Sequence, residues 1–301
     1  HVSASEHGTL LDNTFNVTLF FTAIVFFITQ VLLFWYAYKY RKQEGKKALF
    51  ISHNNRLEVI WTAIPAIVMT FLVVSGLDTW NTAMADIAPN EVPGKDYIEI
   101  EATGMQFAWL LRYPGADNLL GTRNYQLIDG TNPLGQDWSD EKNHDDIQPD
   151  KIVLPVGKKV RVRITSRDVL HNFDLPHFRV KMDAVPGMPT YFVFTPTVTT
   201  AKYRENLSAI GKDGEPLYPE WYELSDPDDA ESLPRWKAFN YELACAELCG
   251  NGHYSMRRIV EIVTEEEYER WLKDQKSYYK SSILKDKELF LFFLIDNVIK
   301  L

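Results

Sequence analysis

The sequence predicts an α+β membrane protein in which an N-terminal two-helix transmembrane hairpin is followed by a β-sandwich domain. Two long apolar runs, Asn13 to Tyr38 and Val59 to Leu77, contain no charged side chain. Asn81 to Lys280 is acidic and carries short apolar runs separated by Pro, Gly, Asn and Asp, which is the pattern of a domain built from short strands. The chain has 301 residues and is 46% hydrophobic, which is enough to build a sizeable core.

The two apolar runs are each long enough to cross a bilayer. They span 26 and 19 residues, and a transmembrane helix needs roughly 20. Pro65 lies inside the second run, where a proline is tolerated if neighbouring helices satisfy the freed backbone groups. A buried core helix is the alternative for each run, and it is disfavoured because uncharged runs of this length are rare outside bilayers. A signal peptide fits the first run poorly, because the run is too long and lacks a basic leader.

The distribution of charge predicts how the hairpin is oriented. The segment from Lys39 to Arg56 holds six Lys or Arg side chains and one acid, Glu44, whereas His1 to Asp12 has no Lys or Arg. By the positive-inside rule the loop faces the cytoplasm and everything after Trp80 lies on the other side. We therefore expect a two-pass membrane protein with the large domain on the extracytoplasmic side.

Six short runs in the acidic domain predict strands, and several of them alternate apolar and polar residues. They are Tyr97 to Thr103, Met105 to Tyr113, Lys151 to Pro155, Lys159 to Thr165, Tyr191 to Thr195 and Arg258 to Thr264. Short strands at this spacing are typical of a β-sandwich. Residues 115–150 and 203–240 interrupt the pattern, and both are polar and too long for ordinary loops. We expect them to be surface insertions.

The C-terminal part of the chain predicts one helix and a tail. Thr264 with Glu267 three residues later forms a capping-box pattern, so an amphipathic helix should begin there, with Tyr268, Trp271 and Leu272 on its inner side. The apolar run Leu289 to Ile295 is too short to span a bilayer and predicts an interfacial or protein-docking segment. We divide the chain into a hairpin (1–80), a sandwich domain (81–280) and a tail (281–301).

Charge narrows the range of partners. Asn81 to Lys280 holds 33 Asp and Glu against 23 Lys and Arg, and the whole chain has a net charge of -9. A protein that binds nucleic acid carries a basic patch instead. We therefore expect no nucleic-acid partner.

The residues that indicate chemistry lie in one loop, Cys245 to Met256, with the pattern C-x-E-x-C-x3-H-x2-M. Sulfur ligands with imidazole select copper, and one Cys, one His and one Met joined by a distant His form a mononuclear blue-copper set. The second cysteine, Cys249, adds a thiolate, and two thiolates can bridge a pair of copper ions. The set therefore suits a dinuclear centre. A disulfide is the alternative for two cysteines in an exported domain, and the joint pattern with Glu, His and Met disfavours it.

A second imidazole is needed from upstream, and His171 in the segment Asp168 to Pro176 supplies it, 74 residues before Cys245. This segment, the stretch Lys181 to Gly187 and the loop Cys245 to Met256 resemble subunit II of the haem-copper cytochrome c oxidases. The resemblance covers the hairpin and the β domain, about residues 13–272 without the two insertions. It implies a cupredoxin-type Greek-key β-sandwich that holds the dinuclear, mixed-valence CuA centre. It also implies a bacterial-type inner (plasma) membrane or its organellar equivalent, with the copper domain on the periplasmic side.

The resemblance also implies a role for each residue of the loop. Cys245 and Cys249 would bridge the two coppers, and His171 and His253 would be terminal ligands. The axial ligands would be Met256 and the backbone carbonyl of Glu247. The Glu247 side chain would reach a Mg²⁺ site shared with oxidase subunit I. The remaining histidines, including His177, have no such context, and Asp183 is expected to shape a turn or to contribute to the subunit interface.

The function that these resemblances imply is electron transfer within a proton-pumping oxidase. The subunit would receive electrons from cytochrome c or a cytochrome-bearing complex and pass them to haem in subunit I, where O2 is reduced to water. No substrate pocket, nucleophile-base pair or phosphate loop is apparent, so the chain is interpreted as a relay rather than the oxygen-reducing site. It has no C-x-x-C-H motif for a fused haem domain, so the donor is a separate protein.

Three alternatives share part of this pattern. The subunit II of quinol oxidases has the hairpin and sandwich but lacks the copper ligands, all six of which are present here. The copper domain of nitrous oxide reductase has a similar loop on a soluble enzyme without this hairpin. A membrane-tethered structural or copper-delivery protein would release its metal readily, so retention of copper during chelation distinguishes it from an oxidase subunit.

One departure from the family pattern concerns electron input. Where the family usually has G-H-Q-W-Y-W, this chain has Gly104 to Trp109 with Phe107 in place of the first tryptophan. The candidates for the input aromatic are Phe107, ranked first, and Trp109, with Trp138 and Trp221 in the insertions as alternatives. Side chains two residues apart in a regular strand share a face, so we expect Phe107 and Trp109 to lie on the same side of one strand.

Overall fold

The computed structural model describes residues 2–47, 50, 52–229 and 231–284. It contains two compact units, one formed by His7–Ala85 and the other by His1–Glu6 together with Asp86–Leu301. The predicted domain boundary after residue 80 lies inside the second helix, which continues to Ala83. The apolar run at residues 289–295 lies outside the described residues, so its predicted role stays a prediction.

The first unit consists of two long helices, α1 (Gly8–Lys39) and α2 (Asn55–Ala83). Both predicted runs are therefore helical, and each helix extends past its uncharged run. Asn54 caps α2, because its side-chain oxygen accepts a hydrogen bond from the Leu57 amide at 3.2 Å. The most apolar stretch of each helix contains no buried residue within this chain. Helices with this length and composition suit the hydrocarbon core of a bilayer.

Polar and aromatic contacts join the two helices. The hydroxyl oxygens of Thr14 and Thr79 lie 2.8 Å apart, and the rings of Phe21 and Phe71 meet edge to face at 6.1 Å. Small polar side chains that bond across a helix pair stabilise membrane hairpins by roughly 1 kcal/mol each. The hairpin thus has specific contacts of its own.

The second unit is a sandwich of two β-sheets. One sheet has the strand order β2-β1-β4-β7 and the other has the order β3-β9-β8-β5-β6. The strands are β1 (Tyr97–Met105), β2 (Ala108–Arg112), β3 (Ile152–Pro155), β4 (Lys159–Ser166), β5 (His171–Leu175), β6 (Val180–Ala184), β7 (Thr190–Phe194), β8 (Tyr241–Cys245) and β9 (Arg257–Val263).

The core lies between the inner faces of the two sheets. In β4 the side chains of Val160, Val162 and Ile164 are buried while the residues between them are more exposed, which is the alternation of a half-buried strand. Trp109 of β2 and Phe173 of β5 meet edge to face at 5.6 Å and so connect the two sheets. These contacts hold β5, which begins at a predicted copper ligand, against the opposite sheet.

The sequence pattern located six strands and missed β5, β6 and β8. These three are short and mix charged or amide side chains with apolar ones, so their alternation is weak. The predicted strand Met105 to Tyr113 is also wrong at its start. Met105 ends β1, residues 106 and 107 form the turn, and β2 begins at Ala108. The expectation that Phe107 and Trp109 share the face of one strand is therefore wrong.

The segment 115–150 connects β2 to β3 and contains two short 3₁₀ turns, Tyr125–Leu127 and Glu141–His144. It is more than a surface loop, because Gln136, Asn143 and Asp146 within it are fully buried. The guanidinium of Arg112 in β2 donates to Asn143 and Asp146 and also to Glu101 of β1, and the Gln136 side-chain amide donates to the same oxygens of Asn143 and Asp146. A buried ionic network therefore fixes this segment to the sheet.

Within the described residues the unit also contains the α-helices α3 (Thr200–Leu207), α4 (Arg235–Ala238) and α5 (Glu265–Asp274), and a π-helical turn at Tyr279–Leu284. The predicted helix at Thr264 is confirmed, because α5 has a capping box in which Thr264 and Glu267 bond to each other's backbone amides. On its inner side Trp271 packs edge to face on Tyr113 at 5.3 Å. The helix thus covers the outer end of the core.

Candidate metal centre

The two cysteines occupy the end of β8 and the loop that follows it. Their sulfur atoms lie 3.9 Å apart, and both thiols are free and buried. Strand pairing places Cys245 opposite Phe173 of β5, so the first cysteine is fixed by the sheet. Cys249 lies four residues further on, in the loop itself. The disulfide alternative therefore does not describe this structure, since bonded sulfurs lie about 2.05 Å apart.

His171 is the first residue of β5 and its side chain is completely buried. Its Nδ1 lies 3.8 Å from the sulfur of Cys245. Gly104 of β1 makes room for the ring, because a Cβ atom at residue 104 would lie 2.7 Å from Cδ2 of the imidazole. The ring edge also faces Trp109, at a centroid distance of 6.1 Å. Burial on these sides leaves Nδ1 directed at the cysteines.

Asp168 fixes the other ring nitrogen of His171. Its Oδ1 lies 2.9 Å from Nε2, and its Oδ2 accepts the backbone amide of Gln106 at 2.7 Å. Burial raises the pKa of the Asp168 carboxyl, but hydrogen bonds from Gln106, His171 and Val169 outweigh that effect, and the pKa lies below its usual value. The carboxylate therefore favours the tautomer with a proton on Nε2 and a free Nδ1.

The remaining predicted ligands surround the second cysteine. Nδ1 of His253 lies 3.6 Å from the sulfur of Cys249, and the sulfur of Met256 lies 3.9 Å from it. The carbonyl oxygen of Glu247 lies 3.2 Å from the sulfur of Cys245, while the Glu247 side chain is exposed. The structure thus brings all six predicted ligand residues together at one end of the strands.

These donor groups fit a dinuclear copper group. A metal bound to thiolate lies about 2.3 Å from the sulfur. Because the two sulfurs lie only 3.9 Å apart, one metal ion could contact both of them, and there is a position for such an ion on each side of the sulfur–sulfur line. One imidazole and one weaker donor flank each sulfur, and thiolate, thioether and imidazole are donors that select copper. The ligand atoms of His171, Cys245 and Cys249 lie within 4.8 Å of one another.

Cys249 holds its proton tightly when no metal is bound. Burial and the neighbouring Cys245 raise the pKa of the Cys249 thiol to about 11. A metal ligand must be the thiolate, so metal binding at neutral pH displaces the proton of Cys249.

The turn between β1 and β2 packs on the same loop. The Gln106 side-chain amide donates to the carbonyl of Cys249 at 2.5 Å. The ring of Phe107 lies against Gly250 and Gly252, since a Cβ atom on Gly252 would lie 2.5 Å from the ring. Phe107 is 37% exposed and Trp109 is 1% exposed. Of the two predicted input aromatics, Phe107 is thus the one on the surface.

Other residues weighed from the sequence lie elsewhere. His177 packs among Tyr203, Phe239 and Tyr241. Asp183 lies within β6, where it accepts the Asn172 side-chain amide at 2.6 Å, rather than in a turn.

The two insertion tryptophans contact other aromatic rings. Trp138 packs on Tyr278 and Tyr279, and Trp221 packs on Phe239.

Sequence reasoning gave no role to Gly104, Gln106 or Asp168. The only sequence signal for them was position. Asp168 precedes a predicted ligand by three residues, and Gly104 and Gln106 lie in the family motif.

The two-helix unit, the two-sheet domain and the buried sulfur and imidazole cluster define a class of protein, a membrane-anchored sandwich domain with a metal-binding loop at one end of its strands. Two family models match the chain. Residues 1–78 match the transmembrane domain of cytochrome c oxidase subunit II, and residues 98–205 match the periplasmic domain of the same subunit.

Individual relatives agree with these matches. The alternative cytochrome c oxidase subunit 2 of Bradyrhizobium diazoefficiens is 32% identical over 272 residues, which cover 89% of this chain and 81% of the relative. The cytochrome c oxidase subunit 2 of Thermostichus vulcanus is 24% identical, over 93% of this chain and 80% of the relative. The chain belongs to the cytochrome c oxidase subunit 2 family. The resemblance seen in the sequence is therefore confirmed, and so are the cupredoxin-type fold and the two-pass membrane topology.

Among solved structures, the chain is similar to the periplasmic domain of subunit II of cytochrome oxidase (CoxB) of Bradyrhizobium japonicum, with 22% identity and a TM-score of 0.34 over 60% of this chain and 95% of that one. It is also similar to a chain of a heme-copper terminal oxidase dimer, with 14% identity and a TM-score of 0.36 over 69% of this chain and 99% of that one.

Proposed function

We propose that this chain is the electron-input subunit of a terminal haem-copper oxidase. It accepts electrons from cytochrome c, or from a cytochrome-bearing complex, at a dinuclear CuA centre. It passes them to haem in subunit I, where O2 is reduced to water with proton pumping. The observation that carries the proposal is the convergence of six donor residues around two buried thiols 3.9 Å apart. Family membership supports the partner subunits and the placement of this domain on the periplasmic side.

Each ligand residue has a distinct role in the proposed centre. Cys245 and Cys249 would hold the copper pair through their thiolates, His171 and His253 through their imidazoles, and Met256 and the Glu247 carbonyl as the weaker donors. When bound, the copper pair would supply one-electron transfer. The chain fixes the donors by strand pairing at Cys245 and by the Asp168 bond to His171. A rigid ligand set moves few atoms when the charge changes, which favours fast electron transfer.

Four of the six proposed ligand residues are buried, whereas His253 is half-buried and Glu247 is exposed. His171 and Met256 are almost fully buried, and both cysteines are less than one-tenth exposed. Water exclusion and hydrogen bonding around sulfur ligands tune the potential of a copper site. The exposed carboxylate of Glu247 is available to bind the Mg²⁺ ion expected at the interface with subunit I.

The position of Phe107 supports its ranking as the input aromatic. It is the partly exposed ring that lies directly on the loop between Cys249 and His253. Trp109 is buried beneath the surface and touches His171, so it lies on the inner side of the site. We propose that electrons from the donor arrive through Phe107.

Measurement of copper in the purified full chain tests the proposal. We expect two coppers per chain, an intense visible spectrum and the electron paramagnetic signature of a delocalised mixed-valence pair. Cys249→Ser should abolish that signature, because a hydroxyl does not replace a bridging thiolate. A single copper per chain, or a Cys245 to Cys249 disulfide without metal, would contradict the proposal. Loss of copper to a mild chelator would favour a copper-delivery protein instead.

A further inference from the structure

The two halves of the ligand set come from separate parts of the fold. His171 begins β5, and the cysteine loop follows β8, and these strands pair at only two positions, Phe173 with Cys245 and Asp174 with Ala244. One more backbone bond, from Ala246 to Asn172, extends the contact. Cys249 lies beyond this pairing. Another connection must therefore set the distance between Cys249 and His171.

Gln106 makes that connection from the opposite sheet. Its side-chain amide donates to the carbonyl of Cys249 at 2.5 Å. Its backbone amide donates to Asp168 at 2.7 Å, and the other oxygen of Asp168 holds Nε2 of His171 at 2.9 Å. A single residue thus bonds to both ligand-bearing segments, and it does so from the turn that ends β1.

The neighbouring Phe107 packs on the same loop. Its ring lies on Gly250 and Gly252, and a Cβ atom on Gly250 would meet both the ring and the Gln106 side-chain amide, so the two residues together cover the backbone after Cys249. Hydrogen bonds of this kind orient metal ligands and commonly change metal affinity by about 10- to 100-fold when removed.

We propose that Gln106 is a positioning residue that fixes the Cys249 loop relative to His171 and thereby determines how firmly the site retains its metal. The inference rests on the proposed copper function for its metal readouts. Gln106 bonds to the backbone carbonyl of Cys249 and not to an atom that binds the metal. We therefore expect its loss to change metal retention by about 10-fold, the lower end of the 10- to 100-fold range.

The test compares Gln106→Leu and Gln106→Asn with Gln126→Leu in the full chain. Leucine removes the amide, and asparagine keeps it on a side chain one methylene shorter, so it cannot reach the Cys249 carbonyl without a shift of the turn. Gln126 is an exposed glutamine whose side-chain amide reaches only the Tyr125 hydroxyl, at 3.4 Å. It therefore serves as the matched control.

Three measurements are made on each chain: the rate of copper loss to a chelator, the copper hyperfine splitting, and the alkylation rate of the cysteines in the reduced metal-free chain. We expect both Gln106 variants to lose copper about tenfold faster than the wild type, with altered hyperfine splitting and faster alkylation of the cysteines. Their melting temperatures should equal that of the wild type. The Gln126→Leu chain should match the wild type in all of these measurements.

The outcomes separate the inference from the proposed function. Wild-type rates and spectra in both Gln106 variants would overturn the inference while the copper assignment stands. If the wild-type chain held no dinuclear copper, the proposed function would fail, and the alkylation rates would still decide whether Gln106 positions the loop. A fall in melting temperature with unchanged hyperfine splitting and alkylation would indicate a merely structural residue and would also overturn the inference.

Discussion

Asp146 shows how one buried carboxylate can couple a long insertion to the sheet. Its Oδ2 accepts from Arg112 at 3.0 Å and from Gln136 at 3.2 Å, whereas its Oδ1 is buried without a hydrogen-bond partner among the described residues. Burial raises the pKa of Asp146 to about 7, and the nearby Arg112 guanidinium opposes that rise only in part. The carboxyl therefore titrates near neutral pH, unlike an exposed aspartate.

Replacement of Asp146 by Asn should remove a pH dependence of local stability. The folded state binds the proton more tightly than the unfolded state, where the pKa is about 4. Protonation of Asp146 therefore stabilises the folded state fully below about pH 4, and this contribution to the free energy of unfolding is lost as the pH rises to about 7. Hydrogen exchange of residues 115–150 at a series of pH values, corrected for intrinsic rates, should show opening free energies that fall across this window in the wild type.

Asp146→Asn should flatten that slope, which for one group is at most about 1.4 kcal/mol per pH unit. Asp150→Asn is the matched control, because Asp150 is exposed at the end of the same segment. Equal slopes in the wild type and Asp146→Asn would show that Asp146 does not titrate in this window.

At the scale of elements, the turn between β1 and β2 carries Phe107, the proposed entry point for electrons. When the native donor and the protein are mixed rapidly, Phe107→Leu should slow copper reduction several-fold. The substitution removes the aromatic ring that lies between the protein surface and the backbone of Gly250 and Gly252. The copper spectrum should stay unchanged. Trp138→Leu and Trp221→Leu should react at the wild-type rate, since both rings pack on other aromatic residues. The opposite result, with Phe107→Leu unaffected and either tryptophan variant slow, would place electron input in an insertion.

How far the sequence predicted these elements depends on the signal each one carries. The hairpin followed from uncharged length, and α5 followed from its capping box, because both signals are local in the chain. The ligand residues also form a nearly local motif, with only His171 remote. The strands β5 and β8 were missed because their residues serve the site and interrupt the apolar alternation.

Contacts between distant segments could not be read from the sequence. The bonds of Gln106 join residues 62 and 143 positions apart, and no periodicity records such a pairing. The burial of Asp146 could not be predicted either, because a polar insertion by itself indicates a solvated surface. The buried position follows only from the ion pair between Asp146 and Arg112, which the sequence does not show. Position within a motif indicates that a residue matters, whereas only the fold shows what it touches.

At the scale of the whole molecule, acidity is the property most relevant to the electron donor. Residues 81–280 hold ten more acids than bases, and the chain as a whole has a net charge of -9. Exposed carboxylates also occur at the proposed site itself, on Glu247 and on the partly exposed Asp168. An acidic surface attracts a basic patch on a soluble cytochrome and speeds its encounter more than it strengthens the complex.

Turnover of the intact oxidase with a soluble basic cytochrome should therefore fall as the salt concentration rises above about 0.1 M, where the Debye length is about 10 Å. The fall should appear in the rate at low cytochrome concentration, because screening slows association and leaves the later electron-transfer steps unchanged. A small uncharged reductant gives the control, and its rate should not depend on salt. A flat response with the cytochrome would contradict the prediction and favour a donor held in a permanent complex, since a bound donor needs no electrostatic steering.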